Sequence, residues 1–134
     1  MAIDFKTFSS VVPFVIDAKK PVLLRGRHGI GKSEIVYSIA KELGLPMIER
    51  RASQMTEGDL VGLPTTEGKV TSFCPPDWFV DACNNASVLF FDEVDRAVTE
   101  VRQGLFELTD SRKLFGHHLH KDTVIVAAVN GGEH

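Results

Sequence analysis

Residues 26–33 read GRHGIGKS, a G-x-x-x-x-G-K-S pattern set between an apolar run, PVLLRG (21–26), and a segment of helical period, KSEIVYSIAKELG (32–44). No other stretch restricts the fold as much. A glycine-rich turn between a buried strand and a helix can aim consecutive backbone N–H groups at one point, with little Cβ in the way. The helix start adds unpaired N–H groups and the positive end of its dipole. Such a turn suits polyphosphate. Gly26, Arg27, His28, Gly29, Ile30, Gly31, Lys32 and Ser33 are the candidate cradle. Lys32 can reach the β- and γ-phosphates as a point charge, and the Ser33 hydroxyl is a hard oxygen donor for Mg²⁺. Arg27, His28 and Ile30 fill the variable positions and contribute only their backbone amides.

A phosphate cradle needs a partner across the sheet. SVLFFDE (87–93) is an unbroken apolar run ending in two acids. In open α/β folds, ligands bind at the carboxyl edge of the strands, which is where such a strand delivers Asp92 and Glu93. Asp92 is placed to hold Mg²⁺, and Glu93 to polarise a water for attack on the γ-phosphate. TVIVAAVN (123–130) is a last apolar strand. If it neighbours 87–92, Asn130 also faces the γ-phosphate and can orient the water.

The intervening segments alternate in type. Ile35, Val36, Ile39, Ala40 and Leu43 share one helical face, and Gly44 supplies the stop. LPMIERR (45–51) reads as a second strand, TTEGKVTSF as a hairpin turning at Glu67-Gly68, and WFVDACNNA as a short helix. A helix over 96–112 points Val98, Val101, Leu105 and Leu108 inward, with Asp95 as its cap. KLFGHHLHKD reads as a hairpin around Gly116. Phe5, Phe8, Val11, Val12 and Val15 give residues 4–18 a helical period that Pro13 kinks. Strands alternating with helices, each strand apolar on both faces, indicate an α/β domain with a parallel sheet, over one domain of 134 residues.

Composition removes several functions. The net charge is −3, far from the basic footprint of a dedicated nucleic-acid binder, and Arg50-Arg51 reads as a solvated strand end. Cys74 and Cys83 fit no zinc spacing and no disulfide framework, which suits a reduced, cytoplasmic protein. The N-terminal VVPFVI run is too short for a signal peptide and follows an acid, and no stretch approaches membrane-spanning length. His118 and His120 share a face if extended, but no acid or cysteine joins them, so the segment reads as an exposed polar hairpin. Trp78 and Phe79 are either a substrate-contacting element or a local hydrophobic anchor.

The order strand–GRHGIGKS–helix, then VLFFDEVDRA, then VIVAAVN resembles the Walker A, Walker B and sensor 1 order of an AAA+ ATPase core. DEVDRA followed by Gln103-Gly104-Leu105-Phe106-Glu107 is similar to the MoxR family of the helix-2-insert branch. DLVGLP with its hairpin looks like the insert, and KLFGHHLH like the hairpin before sensor 1. The resemblance implies a three-layer αβα P-loop NTPase that uses ATP and Mg²⁺. It also implies assembly into a homo-oligomeric ring, often a hexamer, and remodelling of client proteins with a chaperone-like role. Two departures stand out. His28-Gly29 replaces the family's usual proline-glycine. After Asn130 the family would continue with a helix, a fifth strand beside the first, an arginine finger and a helical lid. On that ground the 134 residues read as an incomplete core with PVLLRG as an apolar edge, binding nucleotide weakly and hydrolysing it poorly alone. Two other functions stay open: a non-hydrolysing nucleotide-dependent assembly module, and a P-loop kinase, for which neither an arginine-rich lid nor an acceptor pocket is found.

Overall fold

The computed structural model describes residues 20–26, 31–65 and 72–130. Four parallel strands form the central sheet: β1 (Val22–Gly26), β2 (Met47–Arg51), β5 (Val88–Asp92) and β8 (Val124–Asn130), in the order β1-β8-β5-β2. Helix α1 (Lys32–Leu43) connects β1 to β2. Between β2 and β5 lie a 3-10 turn (Ala52–Gln54), α2 (Glu57–Val61), the antiparallel pair β3 (Leu63–Thr65) and β4 (Ser72–Cys74), and α3 (Asp77–Asn84). A second 3-10 turn (Val94–Arg96), α4 (Thr99–Ser111) and the small hairpin β6 (Lys113–Leu114) and β7 (His117–His118) lead to β8.

The sheet sorts its side chains into two cores, as period-2 alternation requires. Val22, Leu24, Val88, Phe90, Val124, Val126 and Ala128 face α1, packing on Val36, Ile39 and Ala40. Leu89, Phe91 and Ile125 face the other way, onto Trp78, Phe79, Val101, Leu105 and Leu108. All five residues of β5 are buried, as expected of a strand paired on both sides and covered on both faces. β2 departs from the expected pattern of strands apolar on both faces. Among the described residues it is an edge strand, MIERR, none of whose residues is fully buried. Its charges protect an edge that an apolar run would leave open to pairing. Among the described residues β1 pairs only with β8. Its Val22 and Leu24 are nonetheless buried, and beside it Leu23, Leu105, Phe106, Ala127 and Val129 line an apolar groove of about 450 Å³.

The insert at α2–β4 is anchored from beneath. Trp78 packs edge-on to Phe79 and Phe91, and its Nε1 donates to the Asp59 carbonyl at 2.8 Å. Of the two readings for Trp78 and Phe79, the buried anchor describes the structure. α2 opens with a reciprocal capping box: Thr56 Oγ1 accepts from Asp59 N–H, and Asp59 Oδ2 accepts from Thr56 N–H. Gly62 then takes a φ of 92°, and a Cβ there would stand 1.8 Å from the Cys74 carbonyl oxygen, so only glycine lets β3 and β4 close.

Several expectations need correction or lie elsewhere. α4 begins at Thr99, after Val98, which is 53% exposed and does not point inward. Asp95 lies inside the preceding 3-10 turn, so it does not cap that helix; Val98 holds the cap position with no side-chain hydrogen bond. Leu43, at the end of the α1 face, is exposed. The hairpin around Gly116 is present, with Phe115 (φ 50°) and Gly116 (φ 82°) both left-handed, the signature of a type I′ turn. The expected N-terminal helix over residues 4–18 and the turn at Glu67-Gly68 lie outside the described residues.

Candidate functional site

The carboxyl ends of β1, β5 and β8 meet at one rim. Gly26 pairs with Asn130, and Asp92 ends β5 beside Arg51 at the end of β2. The condition set for Asn130 is met at the backbone level, since β8 neighbours β5 and carries Asn130 at its end. Its side-chain amide lies outside the description. So do Arg27, His28, Gly29 and Ile30.

The flanks of that loop are described. Gly31 caps α1 in the left-handed region (φ 76°), turning the chain from loop to helix. Lys32, the first helical residue, is only 8% exposed, and its Nζ donates to the carbonyls of Gly26 (2.9 Å) and Val129 (3.3 Å). Among the described residues it has no carboxylate partner. A buried ammonium satisfied only by neutral carbonyls is a cation still short of an anion. Ser33 Oγ donates to Glu49 Oε2 at 2.8 Å.

Across the rim, Asp92 is likewise 8% exposed, and its Oδ1 accepts the Glu93 backbone N–H at 2.8 Å. Among the described residues it has no basic partner. Glu93, also 8% exposed, sits in left-handed backbone (φ 56°). Its Oε2 accepts the Ser53 hydroxyl and lies 3.8 Å from Arg51 Nε. Sequence reasoning did not single out Ser53 or Glu49, and it took Arg51 for a solvated strand end. Arg51 is half exposed, yet it also reaches Glu93. The pairing of β2 with β5 brings Arg51 and Ser53 to Glu93, over some forty positions of chain, and no local pattern announces that register.

The donor set matches a phosphate and a hard divalent cation. Among the described residues Lys32 is a cation without an anion and Asp92 an anion without a cation, and Ser33 and Asp92 offer the oxygen ligands Mg²⁺ takes. The site lies at a sheet rim in the manner of open α/β folds.

A family model described as "AAA domain (dynein-related subfamily)" matches residues 21–131. The chain belongs to the AAA+ ATPase family. Within it the chain is MoxR-like. It is 32% identical over 122 residues to protein CbbQ of Hydrogenophilus thermoluteolus, covering 84% of this chain and 45% of CbbQ. It is 30% identical over 95 residues to protein NorQ of Paracoccus denitrificans, covering 70% of this chain and 35% of NorQ. The AAA+ fold is seen directly in a mutant of Thermotoga maritima RuvB, which superposes with a TM-score of 0.64 at 19% identity, over 96% of this chain and 40% of that one. This AAA+ chain thus spans less than half the length of these relatives. As in the family at large, nucleotide binding is expected of it. No helix among its described residues is long and apolar enough to cross a membrane.

Proposed function

We propose that this domain binds ATP with Mg²⁺ at the β1–β8–β5 rim and, once assembled, hydrolyses it to ADP and phosphate. The observation that carries the reading is the pair of buried, oppositely charged groups without ionic partners among the described residues, Lys32 and Asp92, on one rim. Each gains a partner when a metal–triphosphate arrives, so binding removes two desolvation penalties at once. Residues Gly26 to Ser33 supply the amide cradle, with Lys32 on the terminal phosphates. Ser33 and Asp92 would hold Mg²⁺, which would supply positive charge to offset that of the phosphates. Glu93 takes a proton from the attacking water as the bond from the β,γ-bridging oxygen to γ-phosphorus breaks, and Asn130 orients that water.

In this reading the work is remodelling of protein clients by a homo-oligomeric ring, hexameric in the form the family favours, in the cytoplasm and without nucleic acid. Support comes from the MoxR-like membership, the insert anchored by Trp78 and the net charge of −3. Calorimetric titration with ATP and Mg²⁺ tests the binding step. Wild type should release or absorb heat with a saturable isotherm. Lys32→Ala should weaken affinity roughly 10–100-fold, the value of a charge-assisted contact or two. Unchanged affinity in Lys32→Ala would remove the reading.

A further inference from the structure

We infer that Glu49 is a positioning residue for the divalent cation, acting through the Ser33 hydroxyl; this rests on the metal–nucleotide reading above. A serine hydroxyl that ligates a cation does so with a lone pair, so its proton must point away from the metal and needs an acceptor there. Among the described residues no hydrogen bond joins Ser33 to Asp92, whose Oδ1 accepts the Glu93 backbone N–H. Glu49 Oε2 instead accepts the Ser33 proton, at 2.8 Å. The fold dictates this contact. Glu49 pairs with Phe90 and Arg51 with Asp92, so Glu49 stands one pleat behind Asp92 on the α1 side of the sheet, beside the first turn of α1. An exposed acid in the middle of an edge strand needs no structural reason, but this one is bonded to the hydroxyl that the glycine-lysine-serine turn presents to the metal.

The arrangement has a second consequence with its own sign. Without metal, the Glu49 carboxylate adds negative charge close to where the phosphates sit and opposes them. With metal, the same charge supports the cation. Glu49 therefore couples nucleotide affinity to the metal rather than raising affinity outright. A residue that merely steadied β2 would move both affinities together.

The test measures the affinity for ATP with excess Mg²⁺ and, separately, with EDTA, and takes their ratio. Direct Mn²⁺ titration in the presence of ATP, read by electron paramagnetic resonance, follows the metal itself. Glu49→Ala should lower the ratio about 5–10-fold, near the lower end of what loss of an outer partner does to metal sites. Its metal-free ATP affinity should stay equal or rise. Glu49→Gln keeps an acceptor oxygen but not the charge, and should fall between wild type and Glu49→Ala. Ser33→Ala should lower the ratio too, and adding Glu49→Ala to it should cost little more. Since Glu49 is exposed, both Glu49 variants should melt with wild type. A ratio within twofold of wild type in Glu49→Ala, or losses that add in the double variant, overturns the inference while leaving the nucleotide site standing. Wild-type protein that binds ATP with no preference for Mg²⁺ overturns the metal site and this inference. Wild-type protein that binds no ATP overturns the functional reading and this inference with it.

Discussion

Two of the turns that leave the sheet at the rim pass through left-handed backbone. One is Gly31 (φ 76°) before α1; the other is Glu93 (φ 56°) before the 3-10 turn at Val94. Glycine enters that region freely, whereas a side-chain-bearing residue loses on the order of 1 kcal/mol or more there. The residue that the loop's geometry alone demands is glycine. The one kept in spite of the geometry carries a carboxylate. Their surroundings differ in the same sense. Beside Gly31, Lys32 rests on two neutral carbonyls, partners that a phosphate displaces easily. Glu93 is held by a hydroxyl and a guanidinium, so a change in its position requires side chains of β2's end to move with it. The cationic half of the rim is ready to exchange partners; the acidic half is tethered to a neighbouring strand.

The largest effect separates the strained residue's chemistry from its geometry. Glu93→Gln leaves the left-handed turn and most of the packing in place but removes the proposed base. In the assembled protein, phosphate release should fall by roughly 10²–10⁴-fold while ATP still binds. Loss of binding along with turnover would mean that Glu93 serves the cradle. Phosphate transfer to an added acceptor that survives the substitution would instead point to a kinase.

The second substitution probes the turn that glycine makes. Among the described residues a Cβ at Gly31 would meet nothing closer than Glu34 Oε2, at 3.7 Å, so Gly31→Ala introduces no clash with them. Its cost is the left-handed backbone alone, about 1–2 kcal/mol. For a chain of this size that lowers Tm by roughly 3–10 °C. A thermal melt without nucleotide checks it. An unchanged Tm would mean that the turn relaxes to another conformation, and the contrast with Glu93 would lose its basis.

How much of this rim was legible beforehand follows from which interactions are local. GRHGIGKS and VLFFDE each hold their signal within a few residues, so Gly31, Lys32, Asp92 and Glu93 were placed from sequence, as was the sheet that carries them. Ser53 and Arg51 reach Glu93 through the register in which β2 pairs with β5, and Glu49 meets Ser33 where β2 lies beside α1, tertiary facts that alternation in MIERR does not encode. Helix starts were lost for a related reason. Asp95 looks like a cap by residue type, but the chain first makes a 3-10 turn and leaves the cap position to Val98. The capping box at Thr56–Asp59, by contrast, is a four-residue pattern and was open to reading.

Ser53→Ala cuts the hydroxyl half of the Glu93 tether. One hydrogen bond to a charged group is worth about 1.5–3 kcal/mol when buried and less at a rim. Turnover should therefore shift about 2–10-fold, with ATP affinity unchanged, since Ser53 belongs to the acidic half. A parallel fall in affinity would join the two halves that the geometry separates.

Arg51→Ala is the smallest and the sharpest of the set. The guanidinium stands 3.8 Å from Glu93 and is half exposed, so solvent and salt screen it, as they do surface pairs in general. At low ionic strength its removal should change turnover by no more than about threefold, and raising the salt should erase the difference. The Ser53→Ala effect, carried by a short-range hydrogen bond, should persist at the same salt concentration. If the two variants instead fade together as salt rises, Glu93 is held by the electrostatic field of β2's end and not by a directed bond. If Arg51→Ala costs as much as Ser53→Ala at every salt, the guanidinium acts on the phosphate itself and belongs with Lys32 in the cationic half.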